Sequence, residues 1–149
     1  CLVGSEMCIR DSLYAPTHLN PTYEYGVTFE RGTAVTYGDR KQIFISGTAS
    51  IDNQGEIMYP GDILKQTERM LENIATLLQE AGGGLQDIMQ AIVYLRDPAD
   101  YVVVKQYIES RYPSFLHLIV HAPVCRPGWL IETECIAVIP ADAPQYACL

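Results

Sequence analysis

Hydrophobic side chains recur every three or four residues in one segment, GDILKQTERMLENIATLLQEAGGG (residues 61–84). This spacing places them along one face of an α-helix. Asp62 can cap the amino terminus of that helix, and the glycine run at 82–84 ends it rather than forming a phosphate loop, since no Lys-Ser/Thr follows. The chain therefore predicts an amphipathic helix whose apolar positions are Leu64, Met70, Leu71, Ile74, Leu77, Leu78 and Ala81.

Two β-prone segments precede this helix, GVTFERGTAV (residues 26–35) and KQIFISGTAS (residues 41–50). The polar residues at 36–39 join them in a hairpin-type connection. A second polar turn at 52–55 follows, and a short third strand can be fitted before the helix. The first part of the chain is thus predicted to form an antiparallel hairpin.

The second half alternates helix and strand signals. A short helical turn at 85–89 leads into a strand at 91–97, and Pro98 is expected to start a second helix that ends near Pro113. Two more strands follow, at about 116–122 and 130–139. This order predicts an α+β protein, in which two helices pack on one face of a mixed sheet.

The two ends of the chain are expected to lie outside this fold. Residues 1–12, CLVGSEMCIRDS, carry no strand or helix period and resemble the translation of a sequencing-adapter read-through, so Cys1 and Cys8 are excluded with them. On that interpretation the chain is the carboxy-terminal part of a longer protein. Residues 13–21 are predicted to be a linker, residues 22–140 the domain, and residues 141–149 a disordered tail.

Composition narrows the classes of partner. At 149 residues the chain is long enough for one domain. A net charge of −8 disfavours nucleic acid and anionic membranes, and no apolar run approaches the roughly 20 residues that cross a bilayer. Five scattered cysteines without CxxC spacing indicate free thiols in a reducing compartment, so we expect a cytoplasmic protein.

The segment VCRPGWLIETECIA (residues 124–137) carries the candidate chemistry. Glu132 and Glu134 alternate with apolar residues on a predicted strand, so both carboxylates point to the same face. An apolar surround and a second carboxylate both raise a carboxyl pKa, which would let Glu132 hold or deliver a proton near neutral pH. The alternative is a sheet face open to water, where both acids are simply solvated.

Several nearby residues could bind a ligand around that carboxyl group. Arg126 or Arg31 could hold a carboxylate, although each could equally be a solvated surface arginine. Cys125 is expected to line a cleft rather than act as a nucleophile, because no histidine is placed beside it. Ser46, Gly47 and Thr48 could offer hydroxyls and an N–H group, or the glycine could serve only an unusual backbone angle.

Metal and aromatic interpretations are weaker. His117 and His121 share a strand face, but no third ligand stands at a sensible spacing, so we expect neither a metal nor a cofactor. Trp129 and Tyr94 could form aromatic walls of a pocket, or could pack in the core or at an interface.

Taken together, FISGTAS, LENI, YLRD and IETECIA resemble, in order and spacing, the RidA/YjgF family from Gly26 to Ile139. The resemblance implies a homotrimer of α+β subunits with a chorismate-mutase-like fold and a small-molecule site in each cleft between subunits. Many members hydrolyse reactive enamines and imines and release ammonia. The family's serine corresponds to Ser46 and its water-holding glutamate to Glu132. Its substrate-binding arginine falls on His117 and its tyrosine on Phe29.

These two departures point to a second branch of that resemblance. SGTASI, YLRDPAD and the stretch from Cys125 to Glu132 are similar to the carboxy-terminal half of chorismatases, in which a glutamate seven residues after a cysteine protonates an enol ether. The resemblance thus implies an enzyme acting on a small unsaturated carboxylate, either as a homotrimer or paired with a second RidA-like domain. The alternative is a module that binds a metabolite or partner without catalysis.

Overall fold

The protein, described by a computed structural model over residues 9–148, is built on one six-stranded mixed sheet. The strands are β1 Ile9–Leu13, β2 Gly32–Thr36, β3 Arg40–Ala49, β4 Ile88–Leu95, β5 His117–His121 and β6 Ile131–Pro140, and the helices are α1 Ile63–Glu80 and α2 Tyr101–Arg111. The strands run in the spatial order β1-β2-β3-β6-β4-β5, and β5 is parallel to β4 while the other pairs are antiparallel.

Helix α1 covers one face of the sheet, as its apolar spacing predicts. The Asp62 carboxylate accepts a hydrogen bond of 3.0 Å from the Lys65 amide and caps the helix. Its buried face packs on β3 and β6, whose alternate residues point toward it. The α+β class is confirmed, and the predicted elements occur in the expected order from β2 to β6, except that the short third strand before α1 is only an isolated bridge between Ile51 and Ile57. No helix within residues 9–148 is both long and apolar enough to cross a membrane.

Over residues 9–148, no helix covers the opposite face of the sheet. Its apolar side chains stay partly or largely exposed, and Phe44 and Leu118 show 39% and 61% of their surface. Glu132 and Glu134 lie on this face of β6, because their neighbours Ile131, Thr133 and Cys135 point toward the helices and are buried. The candidate acids therefore sit on the uncovered side of the sheet.

Three predictions about the periphery are corrected. Residues 9–13 form the edge strand β1 against β2, so part of the excluded segment belongs to the sheet, whereas residues 1–8 lie outside the described part. The linker packs against the domain through buried Ala15, Leu19 and Asn20. The tail is held by backbone hydrogen bonds between Gly38 and residues 143 and 147. Each contact joins residues far apart in sequence, which local patterns do not reveal.

Candidate functional site

A cavity of about 470 Å³ opens on the uncovered side of the sheet. Three pieces of chain form it: the irregular segment before β2, a bulge in β3, and the loop that leads into β6. Phe29 and Arg31 belong to the first piece and precede β2, although the sequence predicts them within a strand. The lining residues are Val27, Phe29, Arg31, Ser46, Gly47, Cys125, Arg126, Trp129 and Glu132.

The bulge in β3 shapes one wall. Ile45 pairs with Cys135 and Thr48 with Thr133, so β3 has one residue more than β6 between these pairs. The Ser46 hydroxyl donates a 2.6 Å hydrogen bond to the Glu30 carbonyl and fixes the bulge. At Gly47 a Cβ atom would collide with the Glu132 carboxyl group. Only glycine leaves room for that group at this position.

Glu132 is the carboxyl group that faces this cavity. It is partly buried, and burial is the main cause that raises its pKa above the ordinary value. The negative charge of Glu134 raises the pKa further, while a hydrogen bond from the Cys125 backbone N–H opposes the rise by stabilising the carboxylate. Glu132 is therefore able to exchange a proton closer to neutral pH than a solvated glutamate.

Two guanidinium groups line the same cavity. Arg31 is 7% exposed and donates to both oxygens of Asn20, at 3.2 Å to the carbonyl and 3.1 Å to the side chain. Burial, and then the charge of Arg126, lower the pKa of Arg31 to about 10, so it stays protonated at neutral pH. Arg126 donates to the Gly55 carbonyl at 3.1 Å. The cavity thus combines one proton-exchanging acid with two cations.

The loop before β6 is held by two residues, Arg96 and Gln66, whose roles the sequence does not predict. Arg96, the residue that follows β4, donates to the carbonyls of Val124 at 2.9 Å and of Arg126 and Trp129 at 2.6 Å each. Its only signal in the sequence is its place in YLRD, where a solvated side chain is equally plausible. This contact fixes the backbone that carries Cys125 N–H and the Arg126 side chain.

Gln66 of α1 holds the same loop from the helix side. It is fully buried, donates to the Gly128 carbonyl at 3.0 Å and accepts from the Leu130 amide at 3.0 Å. A glutamine on the apolar face of an amphipathic helix could have been noticed as an exception to the pattern. Its two partners in the loop, however, lie more than 60 residues away.

Glu134 has a different environment from Glu132. Its carboxylate accepts a 2.8 Å hydrogen bond from the Tyr94 hydroxyl of β4, and this bond raises the pKa of Tyr94. Glu134 lines a smaller cavity of about 320 Å³, and Ser46 borders both cavities. Tyr94 is thus a hydrogen-bond donor on the open sheet face and not an aromatic wall of the Glu132 cavity.

Two predicted ligand-binding residues lie away from the cavity. The Thr48 side chain is fully buried beyond the bulge and its hydroxyl donates to the Ser46 carbonyl at 2.9 Å, so it does not reach a ligand. His117 lies two strands from β6, on β5, where its Nδ1 is 2.8 Å from the Phe115 carbonyl oxygen. Within residues 9–148, no three His, Cys, Asp or Glu residues cluster in a way that could hold a metal.

Comparisons with known proteins agree on one family. The family model described as endoribonuclease L-PSP matches residues 32–139. The 3-aminoacrylate deaminase RutC of Acinetobacter baylyi is 31% identical over 97 residues, which cover 64% of this chain and 77% of that protein. A RutC family protein of Pyrococcus abyssi is 35% identical over 97 residues, which cover 64% of this chain and 76% of its own length.

Solved structures agree on the fold. The crystal structure of RidA from the Antarctic bacterium Psychrobacter sp. PAMC 21119 superposes with a TM-score of 0.70 at 23% identity. The superposition covers 87% of this chain and 99% of that one. At this identity the likeness establishes the shared fold alone.

Proposed function

The chain belongs to the RidA/YjgF family, and on that basis we propose that it is a deaminase that hydrolyses an imine or enamine of a small carboxylic acid. The observation that carries this proposal is the Glu132 carboxyl group, with its raised pKa, in one cavity with two guanidinium groups. The relative from Acinetobacter baylyi is named for the deamination of such a compound, 3-aminoacrylate.

The proposed roles follow from the charges. Arg126 or Arg31 binds the substrate carboxylate, since a guanidinium group can donate two parallel hydrogen bonds to it. Glu132 takes a proton from a water molecule as the water oxygen bonds to the imine carbon. That proton then passes to the nitrogen and gives a carbinolamine. The proton of its new hydroxyl group follows to the same nitrogen through Glu132, the C–N bond breaks as the C=O bond forms, and ammonia and the oxo acid leave. An enamine first accepts a proton on its β-carbon and becomes the imine.

Protonation of an enol ether is a second candidate, because it uses the same acid on a similar substrate. The observation in its favour is that Cys125 and Glu132, the two residues whose spacing suggested it, line the same cavity. In this reaction Glu132 delivers its proton to the enol-ether carbon and water completes the cleavage. Activity on chorismate without activity on imines would select this candidate.

A non-catalytic binding role is the alternative from another class. It is motivated by His117 and Phe29, which occupy the positions of the family's arginine and tyrosine. The ribonuclease activity in the family description is not proposed, since a net charge of −8 disfavours RNA phosphates. Thermal stabilisation by keto acids without turnover would favour binding, because a ligand that binds only the folded state raises its stability.

We further propose that the uncovered sheet face is an interface with two other copies in a homotrimer, or with a second domain of the same kind. Its exposed Phe44 and Leu118 are apolar side chains that association would bury. Light scattering after size exclusion checks this proposal. A trimer that Leu118→Asp dissociates is the expected result, whereas a monomeric protein would contradict the homotrimer.

The activity is tested with imines generated in situ by an L-amino-acid oxidase from amino acids. The purified protein is expected to release keto acid faster than the uncatalysed reaction does. Arg126→Gln is expected to raise KM, because it removes one of the two cations. Lys105→Gln, on the exposed surface of α2, serves as the charge-matched control. If the protein turns over neither the imines nor chorismate faster than the uncatalysed reaction, both enzymatic candidates are rejected.

A further inference from the structure

The walls of the cavity indicate the kind of side chain that its ligand carries. Val27 and Phe29 are 38% and 39% exposed, and Trp129 lies in the same lining. A volume of about 470 Å³ falls within the roughly 300–1,000 Å³ of pockets that enclose drug-sized molecules. A three-carbon acid would leave most of these apolar walls in contact with water.

The cations are placed next to the aromatic rings. The Arg126 Cζ lies 5.3 Å from the centre of the Trp129 ring, and the Arg31 Cζ lies 5.5 Å from the centre of the Phe29 ring. A carboxylate that meets either guanidinium group therefore has an aromatic surface within a few bond lengths. A ligand that matches this arrangement carries an apolar group close to its carboxylate.

A second cavity, of about 200 Å³, adjoins the first, and Phe29 and Arg31 line both. Its other walls are mostly apolar and come from the segment that precedes β2, including Tyr14, Leu19 and Tyr23. The packed segment after β1 thus extends the apolar surface beyond Phe29. It offers additional room for a bulky group in the direction away from β6.

We propose that the substrate is the imine of an aromatic or large branched 2-keto acid, whose side chain packs between Trp129 and Phe29. This inference rests on the proposed imine hydrolysis and adds the substrate class. Because burying a phenyl group stabilises the bound substrate, the expected preference in kcat/KM for the phenylpyruvate imine over the pyruvate imine is roughly 10- to 150-fold.

The test measures kcat/KM for the imines made from phenylalanine and from alanine. Val27→Trp narrows the cavity, so it is expected to lower the preference for the phenylalanine-derived imine at least several-fold. Val102→Trp makes the same change at an exposed site on α2 and is expected to keep the ratio. Equal rates for the two imines, or faster turnover of the smaller one, would overturn the inference and leave the proposed activity standing.

Ligand binding separates failure of the inference from failure of the proposed activity. If neither imine is turned over, the deaminase proposal fails, and thermal shifts with phenylpyruvate and pyruvate decide the ligand class. A shift with phenylpyruvate that exceeds the pyruvate shift, and that Val27→Trp reduces, supports the aromatic ligand. Equal shifts, or no shift with either keto acid, overturn it.

Discussion

The Glu132 carboxyl group lies directly against the α-carbon of Gly47, in the space that a side chain at position 47 would fill. The two residues meet at the bulge in β3, where residues 46 and 47 are the unpaired stretch between the last regular pairs with β6. The position of the proposed catalytic carboxyl group therefore depends on a residue that has no side chain.

Gly47→Ala is expected to push the Glu132 carboxyl group out of its place. The structural cost is a local shift of one side chain, so we expect kcat to fall at least tenfold, since misplacing a catalytic group by about 1 Å can cost 100-fold. Activity assays and thermal melts on the same preparations check this prediction. Gly47→Ala combined with Glu132→Asp should melt like the wild type yet stay inactive. Full activity of Gly47→Ala would contradict the contact.

Arg96→Met is expected to loosen the loop that carries Cys125 and Arg126. Three carbonyl groups lose a charged donor, and hydrogen bonds to charged groups contribute about 1.5–3 kcal/mol each. Beyond lower stability, we expect a higher KM, because Arg126 loses its position. Arg111→Met on the surface of α2 is the control, with an expected change within about 0.5 kcal/mol. An unchanged KM in Arg96→Met would show that Arg96 has only a structural role.

Gln66→Leu tests the hydrogen bonds by which α1 holds the loop before β6. The Gly128 carbonyl and the Leu130 N–H lose the partners that Gln66 provides, and each unsatisfied buried group costs about 1–3 kcal/mol. Urea unfolding should therefore show a clear loss of stability. A neutral result would mean that the loop finds other hydrogen-bond partners without the glutamine.

The pH dependence of the rate tests how the two glutamates interact. If ionised Glu132 activates water, the rate rises as the pH passes the pKa of Glu132. Glu134→Gln removes the charge that helps to raise this pKa, so the acidic limb of the profile should move to lower pH. Arg96→Met should loosen the loop that holds the Cys125 N–H, which lowers the pKa of Glu132, so this variant should move the acidic limb to higher pH. Glu68→Gln removes a glutamate that also accepts from a tyrosine, Tyr107, but on the helices, and should leave the limb in place.

Glu132 and Glu30 should change the free energy of unfolding in opposite directions as the pH rises. The pKa of Glu132 is higher in the folded state than the ordinary value of 4.5 that applies to the unfolded chain. As the pH rises above about 4.5, the unfolded chain therefore loses this proton before the folded protein does, and the free energy of unfolding falls. Glu132→Gln should therefore be more stable than the wild type at neutral pH and equally stable at low pH. Hydrogen bonds from Thr33 and Ser12 lower the pKa of Glu30, so Glu30→Gln should lose stability at neutral pH. Melting temperatures from pH 3 to 8 check both signs.

Local patterns in the sequence predicted most of the fold. The spacing of apolar residues gave the position of α1, because a helix face repeats within four residues, and Pro98 and Pro113 marked the limits of the second helical segment. Strand β1 was missed because IRDSL has little hydrophobic alternation of its own. It is a strand because β2 offers it an edge to pair with.

The sequence predicted some residues of the site and missed others. Ser46 and Gly47 of the bulge line the cavity, as do predicted residues between Cys125 and Glu132. Residues that are neighbours in sequence stay together in the fold, so a local pattern can predict them as a set. Thr48 does not, because the bulge ends before it and turns its side chain toward the helices. Arg96 and Gln66 could not be assigned, since their roles depend on carbonyl and amide groups that the fold brings from about 30 and more than 60 residues away.

The most direct test of the proposed role of Glu132 compares turnover of imines by the wild-type protein, by Glu132→Gln and by Glu68→Gln. Glutamine keeps the size and the hydrogen-bond acceptor of the side chain but cannot take up or deliver a proton. Glu132→Gln is expected to remain folded and to lose at least 100-fold in kcat, while Glu68→Gln is expected to keep the wild-type rate. Turnover by Glu132→Gln at the wild-type rate would contradict the central role of this carboxyl group.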